Sequence, residues 1–480
     1  MKLSDLIAPF SEPTQVECEV SGLANDSRAV EPGDLFMAYP GAQVDGRLFM
    51  LDAIQKGAVA VLYDPEDYSC RSETIPLIPI TDLASKLGLI ASRFYQSPSE
   101  RCSVVGVTGT NGKTTIAYQL TQAHALLGHA AAYIGTLGEG RHGALRLLNN
   151  TTPDALALQH LFHTYHCEGI EQVCMEVSSH ALCQGRVEGI RFNQAIFTNL
   201  THDHLDYHHT MDAYAQAKAK LFAHEGLEWA IINQDDEASS EMMRACGLRT
   251  KILTYGIDSE SDLRAISCQM TFSGTIIDVL TPWGLFKLKL KTIGQFNVYN
   301  ALAVFSSLLI SGYEPLRVVE VMARLDPSPG RMDIVAHGPT VLVDYAHTPD
   351  ALEKALSTLQ TLKQRKLVVV FGCGGDRDAS KRPVMGRIAS LLADEVILTS
   401  DNPRTENPES ILQEILSGVT GQAEVHTVLD RKEAIHSALE KAHPDDLILI
   451  AGKGHEAYQQ IGTVKYPFSD QDIVKCFFKR

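Results

Sequence analysis

Short apolar runs recur through the middle of the chain, and stretches with helical character separate them. The runs lie at residues 103–107, 172–177, 194–197 and 229–233, and the clearest helical stretch extends from residue 113 to about residue 127. Strands that alternate with helices in this way are typical of a parallel sheet covered by helices. The pattern therefore predicts an α/β unit in this part of the chain.

The same alternation returns in the last third of the chain. Strand candidates lie at residues 340–343, 366–371, 395–399 and 447–450, with helical segments at 408–419 and 431–442. This predicts a second, doubly wound sheet, and such sheets bind ligands beside the carboxyl ends of their strands. The segments that follow those ends are residues 373–377, 401–404 and 452–456.

Two regions depart from that alternation. Residues 1–98 mix short apolar segments with turn signals such as Pro40-Gly41 and contain no nucleotide-binding loop, which predicts a separate small domain. Near residue 290 the polar period changes to two, because Lys287, Lys289 and Lys291 alternate with apolar residues; this favours an antiparallel strand with one solvated face. The predicted fold class is α/β, with three domains at residues 1–98, 99–330 and 331–480.

The composition narrows the possible functions. Hydrophobic residues make up 45% and charged residues 21% of the 480 residues, which excludes wholesale disorder and a fibrous repeat. Asp and Glu number 58 against 42 Lys and Arg, so the formal net charge is −16. A chain this acidic has no general attraction to nucleic acid or to an anionic membrane, and we expect neither as a partner. An anionic substrate would need a local positive site.

The sequence predicts neither a membrane span nor export. The apolar runs are far shorter than the roughly 18 residues that cross a bilayer. Near the start, Asp5 and Pro9 interrupt the apolar stretch that a signal peptide needs, so we expect a cytoplasmic location. The ten cysteines include no Cys-x-x-Cys pair, and we interpret them as reduced, mostly packed thiols.

A glycine-rich turn between the first predicted strand and helix of the middle block has the chemistry of a phosphate-binding loop. It consists of Gly109, Thr110, Asn111, Gly112, Lys113, Thr114 and Thr115. Glycines let backbone N–H groups converge on phosphate oxygens, the lysine reaches the outer phosphates, and Thr114 can ligate Mg²⁺. Val107 stands where the common G-x-x-x-x-G-K-[ST] pattern has its first glycine. A dinucleotide-binding loop is the weaker alternative, because the Lys-Thr pair argues against it.

Three further groups lie downstream of this loop. Glu176 follows the second predicted strand, where a carboxylate can meet the Mg²⁺ of the loop. Residues 201–209 contain four His and two Asp, which is compatible with zinc, although a hydrated loop is favoured because no cysteine and no H-E-x-x-H helix lies nearby. By pattern alone, Lys218 and Lys220 are expected to be solvated residues on a helix.

Several motifs together resemble the Mur ligases of peptidoglycan synthesis, and the resemblance covers the whole chain. The motifs lie at residues 109–115, 175–180, 203–208, 217–218, 294–301, 330–332 and 344–349. Within that family, residues 26–28, 33–36 and 45–47 resemble the members that add the third residue of the stem peptide. The resemblance implies a UDP-binding N-terminal domain, a central P-loop ATP-binding domain and a Rossmann-like C-terminal domain that binds an amino acid.

The implied reaction is an ATP-dependent amide ligation through an acyl phosphate. It would join meso-2,6-diaminopimelate to the D-glutamyl carboxylate of UDP-N-acetylmuramoyl-L-alanyl-D-glutamate. By resemblance, the residues that hold the UDP-muramoyl dipeptide are Asn25, Ser27, Ala42, Gln43, Val44, Asn150, Thr151, Thr152, Ser178, Gln184 and Arg186. Pro153-Asp154 departs from many relatives, and we expect only local loop variation there.

The resemblance also implies the ATP and metal ligands. Besides the phosphate loop, the nucleotide contacts would be Asn297, Asn300, Arg331 and Asp344. The implied catalytic residues are Lys113, Glu176, His204 and Lys218. Thr114 and Glu176 would serve one Mg²⁺, and His204 a second, together with Lys218 as the carbamate formed with carbon dioxide. A carbamate has the oxygen atoms that Mg²⁺ prefers, and Mn²⁺ can substitute at a site with a His ligand.

The implied diaminopimelate site lies in the last third of the chain. Its residues would be Arg377, Asp401, Asn402, Pro403, Arg404, Gly452 and Glu456. Diaminopimelate differs from lysine by a distal carboxylate, with which a guanidinium forms a bidentate pair, and Glu456 can take the distal ammonium. The alternatives are the same ligase acting on L-lysine, a folylpolyglutamate synthase-like ligase, and a nucleotide-dependent regulator without ligase activity. We expect a monomer.

Overall fold

The computed structural model describes residues 1–12, 16, 18–41, 44–68 and 74–479. In these ranges the strands form three sheets that are largely parallel, and one separate hairpin. Helices pack on the sheets, so the predicted α/β class is confirmed. Among the same residues, none of the helices combines the length and the apolar character that crossing a membrane requires.

The N-terminal sheet is parallel, with the strand order β1-β2-β3-β4. Its strands are β1 (Gly22–Ala24), β2 (Asp34–Ala38), β3 (Ala60–Tyr63) and β4 (Leu77–Pro79). The helices around it are α1 (Leu3–Ile7), α2 (Met50–Gln55) and α3 (Leu83–Phe94). Single 3₁₀ turns occupy Ser27–Ala29, Gly46–Phe49 and Pro98–Arg101.

The central sheet has the order β14-β13-β12-β11-β10-β9-β5-β8-β6-β7. Its strands are β5 (Ser103–Thr108), β6 (Ala131–Gly135), β7 (Gly138–Arg141), β8 (Gln172–Glu176), β9 (Gln194–Phe197), β10 (Trp229–Asn233), β11 (Lys251–Gly256), β12 (Leu263–Thr271), β13 (Gly274–Thr281) and β14 (Gly284–Leu290). The helices are α4 (Lys113–Leu127), α5 (Ala155–Cys167), α6 (Ser179–Cys183), α7 (Leu205–His208), α8 (Met211–Ala219), α9 (Ser239–Ala245), α10 (Gln295–Ile310) and α11 (Pro315–Met322). The middle of the sheet is parallel, while β12 to β14 and the β6–β7 pair are antiparallel.

The C-terminal sheet has the order β15-β16-β20-β17-β18-β19 and is parallel except for β15. Its strands are β15 (Asp333–Ala336), β16 (Thr340–Asp344), β17 (Leu367–Phe371), β18 (Glu395–Leu398), β19 (Glu424–Thr427) and β20 (Leu447–Ala451), and the hairpin is β21 (Tyr458–Ile461) with β22 (Val464–Pro467). The helices are α12 (Pro349–Leu362), α13 (Lys381–Leu392), α14 (Pro408–Leu416), α15 (Arg431–Lys441) and α16 (Asp470–Phe478).

Each large sheet separates two apolar cores. In β5, Val105 packs into one core and Val104 into the core on the opposite face. In β17, Val369 and Val368 do the same. Because alternate side chains of a strand point to opposite faces, a strand buried on both faces is apolar throughout. This is why the short continuous apolar runs identified the parallel strands.

Where the pattern predicted an element, its bounds mostly agree with the structure to within a residue or two, but many other elements, such as β6, β11, β19 and α5, were not predicted. Helix α4 begins and ends where it was predicted. Lys287 and Lys289 lie on the solvated face of β14 beside the buried Leu288 and Leu290, and Lys291 follows the strand. The predicted helix at residues 408–419 is too long, since α14 ends at Leu416. Strands β7 and β15 and the β21–β22 hairpin were not predicted. The domain limits 1–98, 99–330 and 331–480 remain proposals.

The cysteines agree only in part with the prediction of packed, reduced thiols. All those in the described ranges are free, and Cys174 and Cys373 are buried. The prediction of packing is wrong for four others, because Cys167, Cys183, Cys268 and Cys476 are exposed. Cys70 lies outside the described residues.

The C-terminal helix is fixed by a fully buried ion pair. Arg431 Nε and Nη2 donate to the two carboxylate oxygens of Asp470, each at 2.8 Å, and Nη2 also donates to the Ala451 carbonyl at 2.9 Å. Both side chains have no solvent exposure. Removing one partner of such a pair leaves an uncompensated buried charge.

We therefore expect Asp470→Ala to lower the free energy of unfolding of the C-terminal domain by about 3–5 kcal/mol. Urea denaturation followed by circular dichroism measures this change. Asp472→Ala removes an exposed carboxylate two residues further along the same helix, and we expect it to cost less than about 1 kcal/mol. Equal losses in the two variants would contradict the role of the buried pair.

Candidate active site

The glycine-rich loop lies between β5 and α4 and is held by its neighbours. Gly109 and Gly112 have φ angles of +146° and +89°, which other residues rarely adopt. Lys113 Nζ donates to the carbonyls of Gly109 at 2.7 Å and Thr110 at 2.9 Å. Desolvation lowers the pKa of Lys113, and the charges of Glu176 and Asp203 oppose that shift. The loop is therefore a compact turn with a cation inside it.

Glu176 ends β8 directly beside this loop, and its carboxylate is buried. Its Oε1 accepts hydrogen bonds from Tyr133 Oη at 2.5 Å and Thr136 N at 2.8 Å, and its Oε2 accepts from Thr114 Oγ1 at 3.0 Å. Burial, followed by the Glu176 charge, raises the pKa of Tyr133 well above its ordinary value, so the phenol stays a donor. The predicted pair Thr114 and Glu176 is thus brought into contact. Oxygen donors of this kind suit Mg²⁺.

Lys218 corrects one prediction, because its side chain is 1% exposed rather than solvated. It lies on the inner face of α8, one turn after Tyr214, and its Nζ lies 4.2 Å from the centroid of that ring. Burial, and secondarily Lys113, lowers the pKa of Lys218 well below its ordinary value. Among the described residues Nζ has no hydrogen-bond partner. Lys220, just beyond the helix, is exposed as predicted.

His204 faces the same aromatic ring as Lys218. Its ring centroid lies 6.1 Å from that of Tyr214, and its Nε2 lies 3.5 Å from Asp203 Oδ2. Burial lowers the pKa of His204 to about 4 against the opposing charge of Asp203, so the imidazole is neutral at pH 7. A neutral imidazole can ligate a metal ion. His204 and Lys218 therefore lie on one aromatic surface.

The other histidines of residues 201–209 are only partly hydrated. His208 is buried, with Nε2 at 2.9 Å from Ser179 Oγ and its ring stacked on Tyr214. His202 and His209 are exposed, and His180, which lies outside this segment on α6, packs against Tyr207 with ring centroids 4.2 Å apart. The described residues contain no group of three or more His, Cys, Asp or Glu side chains arranged for a metal ion.

The predicted dipeptide-binding residues of the central domain adjoin Glu176. Thr152 Oγ1 donates to the Glu176 carbonyl at 2.8 Å and accepts from Ser178 N at 3.2 Å. Arg186 donates to the Thr152 carbonyl at 2.8 Å and to Gln184 Oε1. Thr151 Oγ1 lies 3.2 Å from Thr136 Oγ1, whereas Asn150 is exposed. All but Asn150 thus form one connected network.

Tyr39 of the N-terminal domain lies near this network, within the electrostatic influence of two of its neighbours. Asn25 Nδ2 donates to Tyr39 Oη at 3.3 Å. Burial raises the pKa of Tyr39, and the charges of Asp154 and Arg186 act on it from the central domain. Ser27 is buried, and Val44 is exposed. Ala42 and Gln43 lie outside the described residues.

The departure at Pro153-Asp154 has a structural role. Asp154 Oδ1 accepts hydrogen bonds from Leu156 N and Ala157 N, each at 3.1 Å, and caps the N-terminus of α5. An acidic cap of this kind stabilises a helix. The variation therefore fits the fold locally.

A cleft of about 1160 Å³ opens between the central and C-terminal domains beside the loop. Its walls include Asn111, Asn300, Arg331 and Asp344, together with unpredicted residues such as Asp350. Asn297 does not line it; its Oδ1 accepts from Asn300 Nδ2 at 3.1 Å, so it supports Asn300 from behind. This cleft has the size of a ligand site.

Two contacts join the domains across this cleft. Arg331 Nη2 donates to Thr114 Oγ1 at 3.4 Å, and its guanidinium lies 4.4 Å from the centroid of Tyr345. Asn111 Nδ2 donates to Asp350 Oδ2 at 3.0 Å. Asp350 directly follows the 344–349 motif, which was the only sequence signal for it.

The predicted diaminopimelate residues gather at the carboxyl ends of β17, β18 and β20. Arg404 has a φ of +51°; its backbone N donates to the Gln460 carbonyl at 3.1 Å, and its Nη1 to the Gly375 carbonyl at 2.6 Å. Gly375 itself packs so closely on Pro403 that a side chain would collide with the Pro403 carbonyl. Arg377 is exposed on the adjoining loop. The two arginines thus lie on adjoining loops at one polar edge of the sheet, called the recess below, and the unpredicted hairpin fixes the backbone of Arg404.

The floor of this recess is polar and buried. Asn402 Nδ2 donates to Glu456 Oε2 at 2.9 Å, and Asp401 Oδ1 accepts from Asn402 N at 2.6 Å. Gly452 lies so near that a Cβ there would be 2.6 Å from Asp401 Oδ2. The buried Arg382 donates hydrogen bonds to the carboxylates of Glu406 and Glu414 and thereby fixes the loop that carries Arg404. No pattern in the sequence indicated a role for this arginine.

Comparison with protein families gives three matches that together extend over most of the chain. The Mur ligase middle domain matches residues 107–308, the glutamate ligase domain of the Mur ligases matches residues 330–454, and the catalytic domain of the Mur ligase family matches residues 19–95. These matches fall on the central, C-terminal and N-terminal sheets, respectively.

Proteins of similar sequence span nearly the full length. The UDP-N-acetylmuramoyl-L-alanyl-D-glutamate--2,6-diaminopimelate ligase of Chromobacterium violaceum is 46% identical over 95% of this chain and 94% of its own length. The ligase of the same name from Coxiella burnetii is 42% identical over 98% of both chains. A solved structure of a ligase of that name superposes with a TM-score of 0.74 at 34% identity, covering 100% of this chain and 99% of the other.

The hydrogen bonds to Glu176 allow a direct test. We expect Tyr133→Phe to lower the free energy of unfolding of the central domain by about 1–3 kcal/mol, because a buried carboxylate loses one donor. Tyr118→Phe is the matched control: its ring packs edge-on against Tyr133 with centroids 6.1 Å apart, and among the described residues its hydroxyl has no hydrogen-bond partner. Urea titration of both variants measures the difference. An equal effect of the two changes would rule out the assigned bond.

Proposed function

The chain belongs to the Mur ligase family, and we propose that it is the ATP-dependent ligase that adds meso-2,6-diaminopimelate to UDP-N-acetylmuramoyl-L-alanyl-D-glutamate. The observation that carries this proposal is the near full-length similarity to ligases of that name, at 46% and 42% identity. The product extends the stem peptide of a peptidoglycan precursor. Arg404 at the carboxyl end of the C-terminal sheet supports the choice of amino acid.

The first step is phosphoryl transfer. A D-glutamyl carboxylate oxygen attacks the γ-phosphorus of ATP, the bond to the bridging oxygen breaks, and ADP leaves with the electron pair. Carboxylate and triphosphate repel each other, so the step needs positive charge placed beforehand. Lys113, inside the glycine-rich loop, and Arg331, at 3.4 Å from Thr114, supply that charge from opposite domains.

The second step is acyl transfer. A neutral amine of diaminopimelate attacks the carbonyl carbon of the acyl phosphate, phosphate leaves, and the amine loses a proton to solvent as the amide forms. The chain's contribution is to hold the two substrates in line and to keep water from the acyl phosphate. Asn111 and Asp350 support this by joining the domains across the cleft.

The residues fit divalent cations. Thr114 and Glu176 would hold one Mg²⁺, since Mg²⁺ needs only one or two protein oxygens beside substrate phosphates and water. When bound, the metal offsets the negative charge of the phosphates and the carboxylate. His204 and Lys218 would hold a second ion, and the nitrogen ligand allows Mn²⁺ as a substitute.

Lys218 is suited to carbamylation. The neutral amine is the form that attacks carbon dioxide, and burial lowers the pKa of Lys218 well below its ordinary value. Addition forms a C–N bond and releases one proton, so a buried amine becomes a carbamate anion. The anion would then ligate the metal beside His204.

We expect charged side chains to recognise the charged groups at the distal end of diaminopimelate. Arg404 and Arg377 would bind the distal carboxylate, and Glu456 the distal ammonium. L-Lysine lacks that carboxylate and would leave the arginines unpaired, which a polar site penalises strongly. A folylpolyglutamate synthase-like ligase would not need the N-terminal domain matched at residues 19–95. We place the reaction in the cytoplasm, where ATP is available, and propose that the protein is a monomer.

The assay that tests this function is phosphate release from ATP. We expect release only when the UDP-muramoyl dipeptide and meso-diaminopimelate are both present, and at least about 100-fold weaker use of L-lysine by kcat/KM. Arg404→Ala should raise KM for diaminopimelate by about 100-fold, because it removes a charged bidentate pair. A preference for L-lysine, or release with a folate substrate, would overturn the proposal.

The lysines of the central domain provide a second test. We expect Lys218→Ala to lower kcat by at least about 100-fold, because the metal site loses its carbamate. Lys220→Ala removes the exposed lysine two residues away and should keep kcat within about twofold. Mass spectrometry under carbon dioxide should find one added carboxyl group in the wild type that Lys218→Ala lacks. Full turnover by Lys218→Ala would exclude the carbamate.

A further inference from the structure

Lys453 is a buried lysine for which the proposed mechanism has no use. It follows β20 in the segment Gly452-Lys453-Gly454, and its side chain has no solvent exposure. Lys218 and Lys453 are the buried lysines among the described residues. An ammonium group taken out of water costs several kcal/mol unless its partners compensate for the lost hydration. The partners of Lys453 therefore indicate what it does.

Those partners are two residues of the amino-acid recess. Lys453 Nζ donates to Glu456 Oε2 at 2.9 Å and to Asn402 Oδ1 at 3.1 Å. Asn402 Nδ2 donates to the same Glu456 Oε2 at 2.9 Å. Glu456 Oε2 thus receives two hydrogen bonds, whereas Oε1 receives none from the described residues. The carboxylate is held by one oxygen and keeps the other for a ligand.

Lys453 and Gln460 together fix the orientation of the Asn402 amide. Asn402 Oδ1 accepts from Lys453 Nζ and also from Gln460 N at 2.8 Å. Both of these groups are donors only, so the oxygen of the amide must face them and its NH₂ must face Glu456. Lys453 therefore acts on Glu456 twice, through its own bond and through the amide.

Strand β21 links the Glu456 carboxylate to the Arg404 guanidinium on the other side of the recess. Gln460 N bonds Asn402, and the Gln460 carbonyl accepts from Arg404 N at 3.1 Å. Gln460 thus bonds both the backbone of Arg404 and the side chain of Asn402, which in turn bonds Glu456. A recess with a fixed cation and a fixed anion matches a zwitterionic head, in which one carbon carries a carboxylate and an ammonium.

We propose that Lys453 is a positioning residue that fixes Glu456 so that Oε1 accepts the distal ammonium of the amino-acid substrate, and that it thereby selects a diamino diacid over a monoamino diacid. The inference rests on the proposed function and deepens it. Arg404 discriminates by the distal carboxylate, and Lys453, acting through Glu456, discriminates by the distal amine.

The test compares meso-diaminopimelate with 2-aminopimelate, which has the same carbon chain and both carboxylates but lacks the distal amine. We expect the wild type to prefer diaminopimelate by about 100-fold in kcat/KM. Lys453→Met should reduce this preference to less than about tenfold by raising KM for diaminopimelate. KM for 2-aminopimelate, ATP and the UDP-muramoyl dipeptide should stay within about threefold, as should kcat.

Lys465→Met is the matched control. Lys465 lies on β22 with Nζ 4.3 Å from the centroid of Tyr458, whereas Lys453 Nζ lies 5.5 Å from the same ring. Lys465 is exposed and has no bond to Glu456, so its variant should keep the preference of the wild type. Glu456→Gln should lose the preference as Lys453→Met does.

Several outcomes would overturn the inference. One is an unchanged preference in Lys453→Met or Glu456→Gln, and another is an equal loss of kcat with both amino acids. If Lys453→Met does not fold, a crystal structure of the wild type with diaminopimelate decides: Oε1 must bond the distal nitrogen while Lys453 keeps Oε2. A wild type that does not use diaminopimelate would instead refute the proposed function. If the wild type uses diaminopimelate but Lys453→Met leaves its preference over 2-aminopimelate unchanged, only this inference is refuted.

Discussion

The burial of the Glu176 carboxylate is the constraint on which the rest of the site depends. A charged group that is 1% exposed is tolerated only where donors replace water, and here Tyr133, Thr136 and Thr114 do so. Those donors come from β6, from the turn after it and from the first residues of α4. One carboxylate therefore fixes the glycine-rich loop against the neighbouring strands.

From this point the polar contacts extend toward both outer domains. The backbone carbonyl of Glu176 bonds Thr152, whose own carbonyl bonds Arg186, which acts electrostatically on Tyr39 of the N-terminal domain. On the other side, Thr114 accepts from Arg331 at the start of the C-terminal domain. The domains thus converge beside the glycine-rich loop, which contacts the C-terminal domain directly through Thr114 and Arg331. Such convergence allows substrates held by different domains to meet.

The C-terminal recess is built on a different principle. Its charges are positioned by backbone pairing of the β21 hairpin with Arg404, by the hydrogen bond from Gln460 N to Asn402 Oδ1, and by buried cations beneath the surface. Arg431, Arg382 and Lys453 are all buried and all paired with carboxylates. Buried pairs of this kind contribute little net stability, but they hold loops in one geometry. Recognition of a small zwitterion needs that rigidity more than it needs affinity from each contact.

Local sequence determined much of this protein. The apolar runs identified the parallel strands because strands buried on both faces are apolar throughout, and the loop 109–115 could be predicted as a phosphate site because its chemistry is carried by consecutive residues. Only the tertiary structure decided the state of Lys218, since the packing of α8 removed it from water and lowered its pKa. The same holds for Lys453 and the β21 hairpin, whose shared partner Asn402 lies 51 residues from Lys453 and 58 from Gln460 in the chain. Burial and long-range pairing depend on which elements meet, and no short segment carries that information.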